Sequence, residues 1–396
     1  MLIICLWIGW HYWVYAFISS TPFSLLGAQG PPPPRYGTDF YGDSSGAKTW
    51  LSHGNAYERT GFIYAPTSLP FYAVFTLVPF EVATQLWVIS SLFIFIVGLL
   101  CLALTLHGDR RSVYVSLALL LFLTSYPLVV NFQLGQNELL LAGLVILSLV
   151  CERLNLRFMS AGLLAVSTVL KGSALLLLIY FVLYRRDLHY LIRFLISSLL
   201  IVGASLFVVP VGLYSYWILN VFPTFATAFP LVMDPRFTLF PNESVIGLLV
   251  LVHLSRITLA VSVTAFVLFG AFSVWVTSKR TSKNYGLLRA DAMFLMNVLV
   301  ILLFGPTDTL IYPYVGLILP LALFLSALFM EQVNLGYLTL VVFATLLLNS
   351  ILSPNFLYTP ILFPLELIGG LILTILLIPI CIRPTLISKK RPRLMS

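Results

Sequence analysis

The sequence predicts an all-α polytopic membrane protein, and three observations support this fold class. Hydrophobic residues make up 60% of the 396 residues and charged residues only 9%, whereas soluble domains average about 25% charged residues. The apolar residues form long runs separated by short polar stretches, and an apolar run of span length becomes a helix in lipid. The charged residues gather at the ends of these runs.

About twelve runs are candidate spans, since a full crossing needs about 20 residues. They cover residues 2–19, 82–106, 112–130, 138–151, 158–170, 173–184, 190–210, 256–276, 288–304, 311–330, 334–350 and 361–382. Residues 2–19 lack the basic start and cleavage site of a signal peptide, so we expect this run to remain as the first span. An even number of spans puts both termini on one side of the membrane.

The basic residues determine the expected orientation. The net charge is +8, and most Lys and Arg residues fall in loops on the side of the termini, which the positive-inside rule makes cytoplasmic. We therefore expect a single domain over 1–396 in the cell membrane, with extracytoplasmic loops at 20–81 and 211–255 and a basic cytoplasmic tail at 383–396. Because these charges lie at span ends, they do not predict nucleic-acid binding.

The first long loop has internal order. Residues 43–53 predict a short helix with Asp43 or Ser44 as the N-cap. It would lie on the outer membrane surface with Trp50 at the headgroups. The apolar segment 67–80 is short for a span and predicts a re-entrant or interfacial piece. Residues 138–151, 158–170 and 173–184 are also short for full crossings.

No cofactor or metal is predicted with certainty. The cysteines Cys5, Cys101, Cys151 and Cys381 lie in or beside apolar runs without metal-ligand spacing. The carboxylates Asp39, Asp43 and Glu243 could form a metal site only if the fold brings all three together.

Polar residues recur at the expected outer ends of the runs, where they are costly in lipid and usually face a cavity or one another. The candidates are Asp39, Gln133, Gln136, Asn137, Glu138, Lys171, Asn242, Arg256 and Asp308. Each also has a structural interpretation: Asp39 as a solvated loop carboxylate, the amides as turn residues, and Lys171 as a cation that snorkels to the surface.

These residue types suit transfer of a group from a lipid phosphate. A carboxylate such as Asp39 can act as general base on an acceptor hydroxyl. Lys171, with Arg256, can hold a departing phosphate. The amides of Gln133, Gln136 and the neighbouring Asn137 can bind sugar hydroxyls.

Several of these residues stand in an order that resembles glycosyltransferase family 87, membrane mannosyltransferases with the GT-C fold. The similar segments are Asp39-Phe40-Tyr41, His53-Gly54-Asn55-Ala56-Tyr57, Tyr64-Ala65-Pro66, Gly135-Gln136-Asn137, Ala161-Gly162 followed by Lys171, Asn242-Glu243-Ser244, and Gly305-Pro306-Thr307-Asp308. They extend over most of residues 36–320. The resemblance rests on the order of these segments along the chain and on their expected side of the membrane, more than on any single segment.

The resemblance implies a polyprenyl-phosphate mannose donor, a lipid or glycan acceptor, inversion at the sugar carbon, and Asp39 as the base. It also implies substrate binding by Asn242 and the Gln136 segment, and Glu138, which follows that segment, is a further substrate-binding candidate. In one respect the chain departs from the family, which has a Trp and then a His after its Ser-Pro segment. Residues 309–314 contain no His, so Asp308 and Tyr312 are the candidates to substitute.

A polytopic transporter or lipid flippase is the alternative from another class. Transporters bind their substrates near the bilayer midplane on broken helices. Here the middles of the runs contain few ionisable residues, although Glu366 and the short runs between 138 and 184 suit a transporter. An inactive scaffold subunit is a third alternative, and the sequence leaves the sugar and the acceptor open.

Overall fold

The computed structural model describes residues 37–58, 60–223, 245, 249, 257–278, 286–304, 312–331, 333–348 and 365–382. These residues are almost entirely helical. The predicted first span, residues 2–19, lies outside the described residues, as does most of the predicted loop 211–255 after residue 223.

The first described helix differs from its prediction. Helix α1 is Thr38–Leu51 and begins after Gly37, whose left-handed backbone (φ 74°) turns the chain into the helix. Asp43 is therefore in the middle of α1 and is not an N-cap. After α1, the segment predicted to be interfacial folds as a 3₁₀ turn at Pro66–Ser68, helix α2 at Leu69–Ala73 and a second 3₁₀ turn at Val74–Leu77.

Twelve further α-helices follow in the described residues. They are α3 Phe80–Leu104, α4 Asp109–Leu123, α5 Tyr126–Leu134, α6 Glu138–Arg153, α7 Arg157–Leu170, α8 Leu188–Leu206, α9 Val211–Tyr216, α10 Thr258–Ser278, α11 Gly286–Phe304, α12 Ile318–Met330, α13 Leu335–Leu348 and α14 Leu365–Ile382. Gly172–Leu177 and Tyr312–Leu317 are 3₁₀ turns, and Ile179–Tyr184 and Trp217–Val221 are π-helical.

Three of these helices, α3, α8 and α10, are long and apolar enough to cross a membrane. Shorter apolar helices follow at Arg157–Leu170, Gly172–Tyr184, Val315–Met330, Leu335–Leu348 and Leu367–Ile382. The all-helical membrane class is thus supported, while the number of twelve spans stays a prediction.

The predicted span 112–130 is wrong as a single helix. Helix α4 ends at Leu123 and α5 begins at Tyr126. The break occurs at Ser125, whose hydroxyl accepts the Leu128 N–H at 3.3 Å as an N-cap, and Pro127 occupies the first turn of α5. Residues 131–134, predicted as part of a turn, continue α5, so the turn before α6 is only Gly135–Asn137.

Helix α6 is central to the packing, with α3 on one side and α7 on the other. The contact with α3 is close because Gly98 faces Gly143: a Cβ at Gly143 would lie 2.9 Å from the backbone of Ile94. Small residues commonly allow this approach between membrane helices. The backbone approach fixes α6 firmly beside α3.

Charged residues occur at both ends of α6. At its C-terminal end, Asp291 of α11 pairs with Arg110 and Arg153, and Arg185 pairs with Glu152 at 3.2 Å. Glu138 is at the other end, about 22 Å away for a helix rising 1.5 Å per residue.

Candidate active site

Two glycines press the start of α1 against the turn before α6. Gly135 has φ 67°, and a Cβ there would lie 2.9 Å from Phe40 Cβ and 3.1 Å from Gly37 Cα. The Trp87 indole N–H donates to the Gly135 carbonyl at 2.9 Å, and Phe40 stacks on Trp87 with ring centroids 5.3 Å apart. This contact brings the first turn of α1, which contains Asp39, to the N-terminal end of α6.

We expect Gly135→Ala to reduce both stability and activity. A left-handed L-residue costs about 1–2 kcal/mol, and the added methyl group would collide with Phe40 and Gly37. Thermal unfolding and turnover of the purified variant measure the two effects. Gly203→Ala in α8 is the control, because a Cβ there meets nothing within 4 Å. Equal behaviour of the two variants would contradict the role given to the Gly135 turn.

The first residue of α6 and the residue that directly follows α7 form an ion pair. Lys171 follows α7 in an extended conformation (φ −152°), and its ammonium pairs with the Glu138 carboxylate. The side chains are 17% and 6% exposed, respectively. The sequence shows no acidic neighbour close to Lys171, but the fold supplies Glu138.

Asp43 connects this ion pair to Asp39. Its side chain is 7% exposed and hydrogen-bonds to Tyr72, whose hydroxyl oxygen accepts the Asn137 amide N–H at 3.3 Å. Burial raises the pKa of Asp43 well above its usual range, and the nearby Asp39 raises that pKa further. The Tyr72 hydrogen bond and Lys171 lower the pKa of Asp43, while Glu138 raises it.

These contacts define one group of side chains, which we call the polar cluster. Its members are Asp39, Asp43, Tyr72, Asn137, Glu138 and Lys171. Asp39 is half-buried. Gln136, which precedes Asn137 in the α5–α6 turn, is buried and donates its backbone N–H to the Asn131 carbonyl at 3.0 Å. Sequence reasoning missed Tyr72 and underrated Asp43, although the spacing of four residues from Asp39 puts both carboxyl groups on one helix face.

The described structure leaves the other candidates untested. Gln133 lies in α5 and Tyr312 in a 3₁₀ turn, but their side chains are outside the described part. Asn242, Glu243, Arg256 and Asp308 also fall outside the described residues. The described residues contain no group of three or more His, Cys, Asp or Glu side chains that could hold a metal ion.

Two acceptor oxygens of the polar cluster point to the chemistry of a ligand. Asn137 Oδ1 and Glu138 Oε2 are buried, and neither has a hydrogen-bond partner in the described part of the chain. Burying an acceptor without a partner is costly. A molecule rich in hydroxyl groups, such as a sugar, would supply the missing donors.

Aromatic rings cover the apolar side of the cluster. Tyr72 contacts Trp87 with ring centroids 5.5 Å apart, and Phe71 and Phe75 meet Trp87 edge-on at 5.6 and 5.4 Å. Trp87 and Tyr72 are almost fully buried, so these rings pack on one another as part of the core. The cluster of charged and amide side chains thus rests on an aromatic core that fixes its position.

Long apolar helices around a buried carboxylate, lysine and amide suit a membrane protein with a polar site. The comparison with family models makes the class definite, because the model of glycosyltransferase family 87 matches residues 62–306. This is more than half of the chain, and the protein therefore belongs to glycosyltransferase family 87, as the sequence resemblance indicated. The matched part includes Glu138 and Lys171 and begins after Asp39 and Asp43. No curated protein matches the chain.

Proposed function

We propose that this glycosyltransferase moves a hexose, most readily mannose, from a polyprenyl-phosphate donor to a hydroxyl group of a lipid or glycan acceptor. The reaction takes place on the extracytoplasmic side and inverts the sugar carbon. The observation that supports the proposal best is that Asp39 and Lys171 both act on Asp43. The proposed base and the proposed phosphate ligand, which are distant in sequence, therefore both lie near Asp43.

In the proposed reaction, the Asp39 carboxylate takes the proton of the acceptor hydroxyl. The acceptor oxygen forms a bond to the sugar C1 from the face opposite the phosphate. The bond from C1 to the phosphate oxygen breaks, and polyprenyl phosphate leaves with the electron pair. Asp39 is half-buried at the start of α1, where one of its sides can meet an acceptor that enters from outside.

Lys171 is the proposed ligand of the phosphate. The phosphodiester has one negative charge and becomes a monoester with up to two, so a cation that stays close stabilises the leaving group more as the bond breaks. Glu138 holds the Lys171 ammonium in place. Arg256 is a second proposed ligand from the part of the chain that the structure does not describe.

The amides and Glu138 are proposed to bind the sugar hydroxyls. Asn137 Oδ1 and Glu138 Oε2 can each accept one hydroxyl hydrogen. Gln133, Gln136 and Asn242 are the further proposed contacts, with Asp308 or Tyr312 on the acceptor. Direct hydrogen bonds to particular hydroxyl groups would allow the site to distinguish mannose from its epimers.

The orientation is proposed from the charges. The polar cluster and the Arg110–Asp291–Arg153 group lie at opposite ends of α6. If the arginine-rich end is cytoplasmic, the polar cluster faces outward, where the donor sugar would be presented.

Proteoliposomes containing the purified protein test the proposal. They are given polyprenyl-phosphate mannose, glucose or a pentose analogue together with lipid and glycan acceptors. We expect a glycosylated product and an equal amount of free polyprenyl phosphate, fastest with mannose. Movement of the donor across the bilayer without product would instead favour the transporter or flippase, and neither product nor movement would favour the inactive scaffold.

A further inference from the structure

Asp43 and Tyr72 are the members of the polar cluster that the proposed reaction does not use, and Asp43 is the acidic one. It lies one helical turn after Asp39 on the same face of α1, so the two carboxyl groups are neighbours. Asp43 is more buried than Asp39. Its contacts therefore decide how a second carboxyl group can exist beside the base.

The hydrogen bonds of Asp43 run through Tyr72 to α6. The Asn137 amide donates to the Tyr72 oxygen at 3.3 Å, which leaves the Tyr72 O–H as a donor to Asp43. Tyr72 is fully buried, so its O–H group cannot donate to water and needs the Asp43 carboxyl group as its hydrogen-bond acceptor. These hydrogen bonds connect Asp43 of α1 through Tyr72 of α2 to Asn137, the residue that directly precedes α6.

The charges around Asp43 favour its neutral form. Asp39 and Glu138 are acidic, and Lys171 is the one cation among the described residues that act on Asp43. Lys171 is already paired with Glu138. Of the other parts of the chain packed on α1, α5 and Val74–Leu77 contain no acidic or basic residue. The described titratable side chains of α3 and of residues 52–58 at these contacts, Glu81, His53 and Glu58, are exposed. An ionised Asp43 would thus be a buried carboxylate beside a second one, and the cation that acts on it, Lys171, is shared with Glu138.

We propose that Asp43 is a positioning residue that works as a neutral carboxylic acid, accepting the Tyr72 hydroxyl and leaving Asp39 as the carboxylate that takes the proton. The inference rests on the proposed function in so far as Asp39 is the base. The raised pKa of Asp43, caused first by burial and then by Asp39, agrees with it. Neutral Asp43 also keeps a further negative charge away from the donor phosphate.

Two substitutions separate this role from a merely structural one. Asn reproduces a neutral acid, with an acceptor for Tyr72 and a donor in place of the acid O–H. Leu has a similar volume but leaves the Tyr72 hydroxyl without an acceptor. We expect Asp43→Leu to lower turnover about 30-fold at neutral pH, as for a buried donor left without a partner, and Asp43→Asn to restore turnover to within about threefold of wild type.

The pH dependence of turnover and donor binding is the measurement that decides whether Asp43 works in its neutral form. In the wild type, Asp43 loses its proton as the pH rises through its raised pKa, so turnover and donor binding should fall as the pH passes that value. Asp43→Asn should lack this fall, while Glu58→Gln, at an exposed carboxylate of the same loop, should keep the wild-type profile. An Asp43→Asn enzyme as inactive as Asp43→Leu, or one with the wild-type profile, would overturn the proposal.

Thermal stability gives a reading that does not need turnover. A carboxyl group whose pKa is higher in the folded state stabilises the fold at low pH, and this contribution disappears as pH rises through the folded-state pKa. The melting temperature of the wild type should therefore fall with rising pH more than that of Asp43→Asn. If this difference appears but transfer does not, the proposed function fails and the neutral Asp43 stands. If the two melting profiles coincide, the Asp43 proposal fails on its own.

Discussion

Asp39→Asn is expected to lower the rate of sugar transfer by about 10²–10⁴-fold, the usual contribution of a positioned general base. The amide keeps the size of the side chain but cannot take the acceptor proton at neutral pH. Because Asp39 is half-buried at the start of α1, the substitution should leave the fold intact. Donor binding should therefore change little, and the loss should be in kcat.

The neighbouring carboxyl group provides the matched control. Asp43→Asn makes the same chemical change one helical turn later on the same face, and we expect it to retain most of the turnover that Asp39→Asn loses. Single-turnover measurements with bound donor would show this directly. Unchanged turnover in Asp39→Asn would remove Asp39 as the base, and a reversed result would assign that role to Asp43.

Removal of the Lys171 ammonium is expected to have the second large effect. Hydrogen bonds to charged groups contribute about 1.5–3 kcal/mol, so Lys171→Met should weaken binding of a polyprenyl-phosphate sugar by about 10- to 100-fold. Binding can be measured with a non-transferable phosphonate analogue of the donor. The variant has a second consequence, since it leaves the buried Glu138 without its cation.

A double-mutant cycle separates these two consequences. Glu138→Gln removes the buried charge, and Lys171→Met/Glu138→Gln removes both members of the pair. If Lys171 holds the phosphate, the double variant should be stable but still bind the analogue weakly. Recovery of wild-type affinity in the double variant would mean that Lys171 serves only as the counter-ion of Glu138.

Local signals in the sequence were sufficient for much of the helical fold. The long apolar runs predicted α3, α8 and α10, which have span length in the structure, and Lys171 does lie between two helical segments. The Ser125–Pro127 break was missed because the apolar run continues across it. Hydropathy does not detect a helix cap within such a run. The boundary between α4 and α5 depends instead on Ser125 as the N-cap and on Pro127 in the first turn of α5.

The composition of the site was harder to predict because its contacts join distant parts of the chain. The residue types and the expected side of Asp39 and Lys171 predict that they belong to one site, and in the structure both act on Asp43. The partner of Lys171 was not recognised: Glu138 was treated as a substrate ligand, and the ion pair depends on how α6 and α7 end in space. Tyr72 stands in an apolar segment and reads as a packing residue until Asp43 and Asn137 are found beside its hydroxyl.

Asp43 shows why helix starts matter for function. Placed at the start of a helix over 43–53, its carboxyl group would cap backbone N–H groups in solvent. The start at Thr38, enabled by the positive φ of Gly37, moves Asp43 one full turn into α1 and turns it toward Tyr72. A shift of a few residues in one boundary therefore changed a capping residue into a buried member of the site.

A structure of the protein with a polyprenyl-phosphate sugar or its phosphonate analogue bound measures the arrangement most directly. We predict a phosphate oxygen within hydrogen-bond distance of Lys171 Nζ, sugar hydroxyls on Asn137 and Glu138, and the open face of C1 directed toward Asp39. A donor headgroup bound away from these side chains, for example beside Arg110 and Asp291 at the other end of α6, would contradict the assignment of the active site.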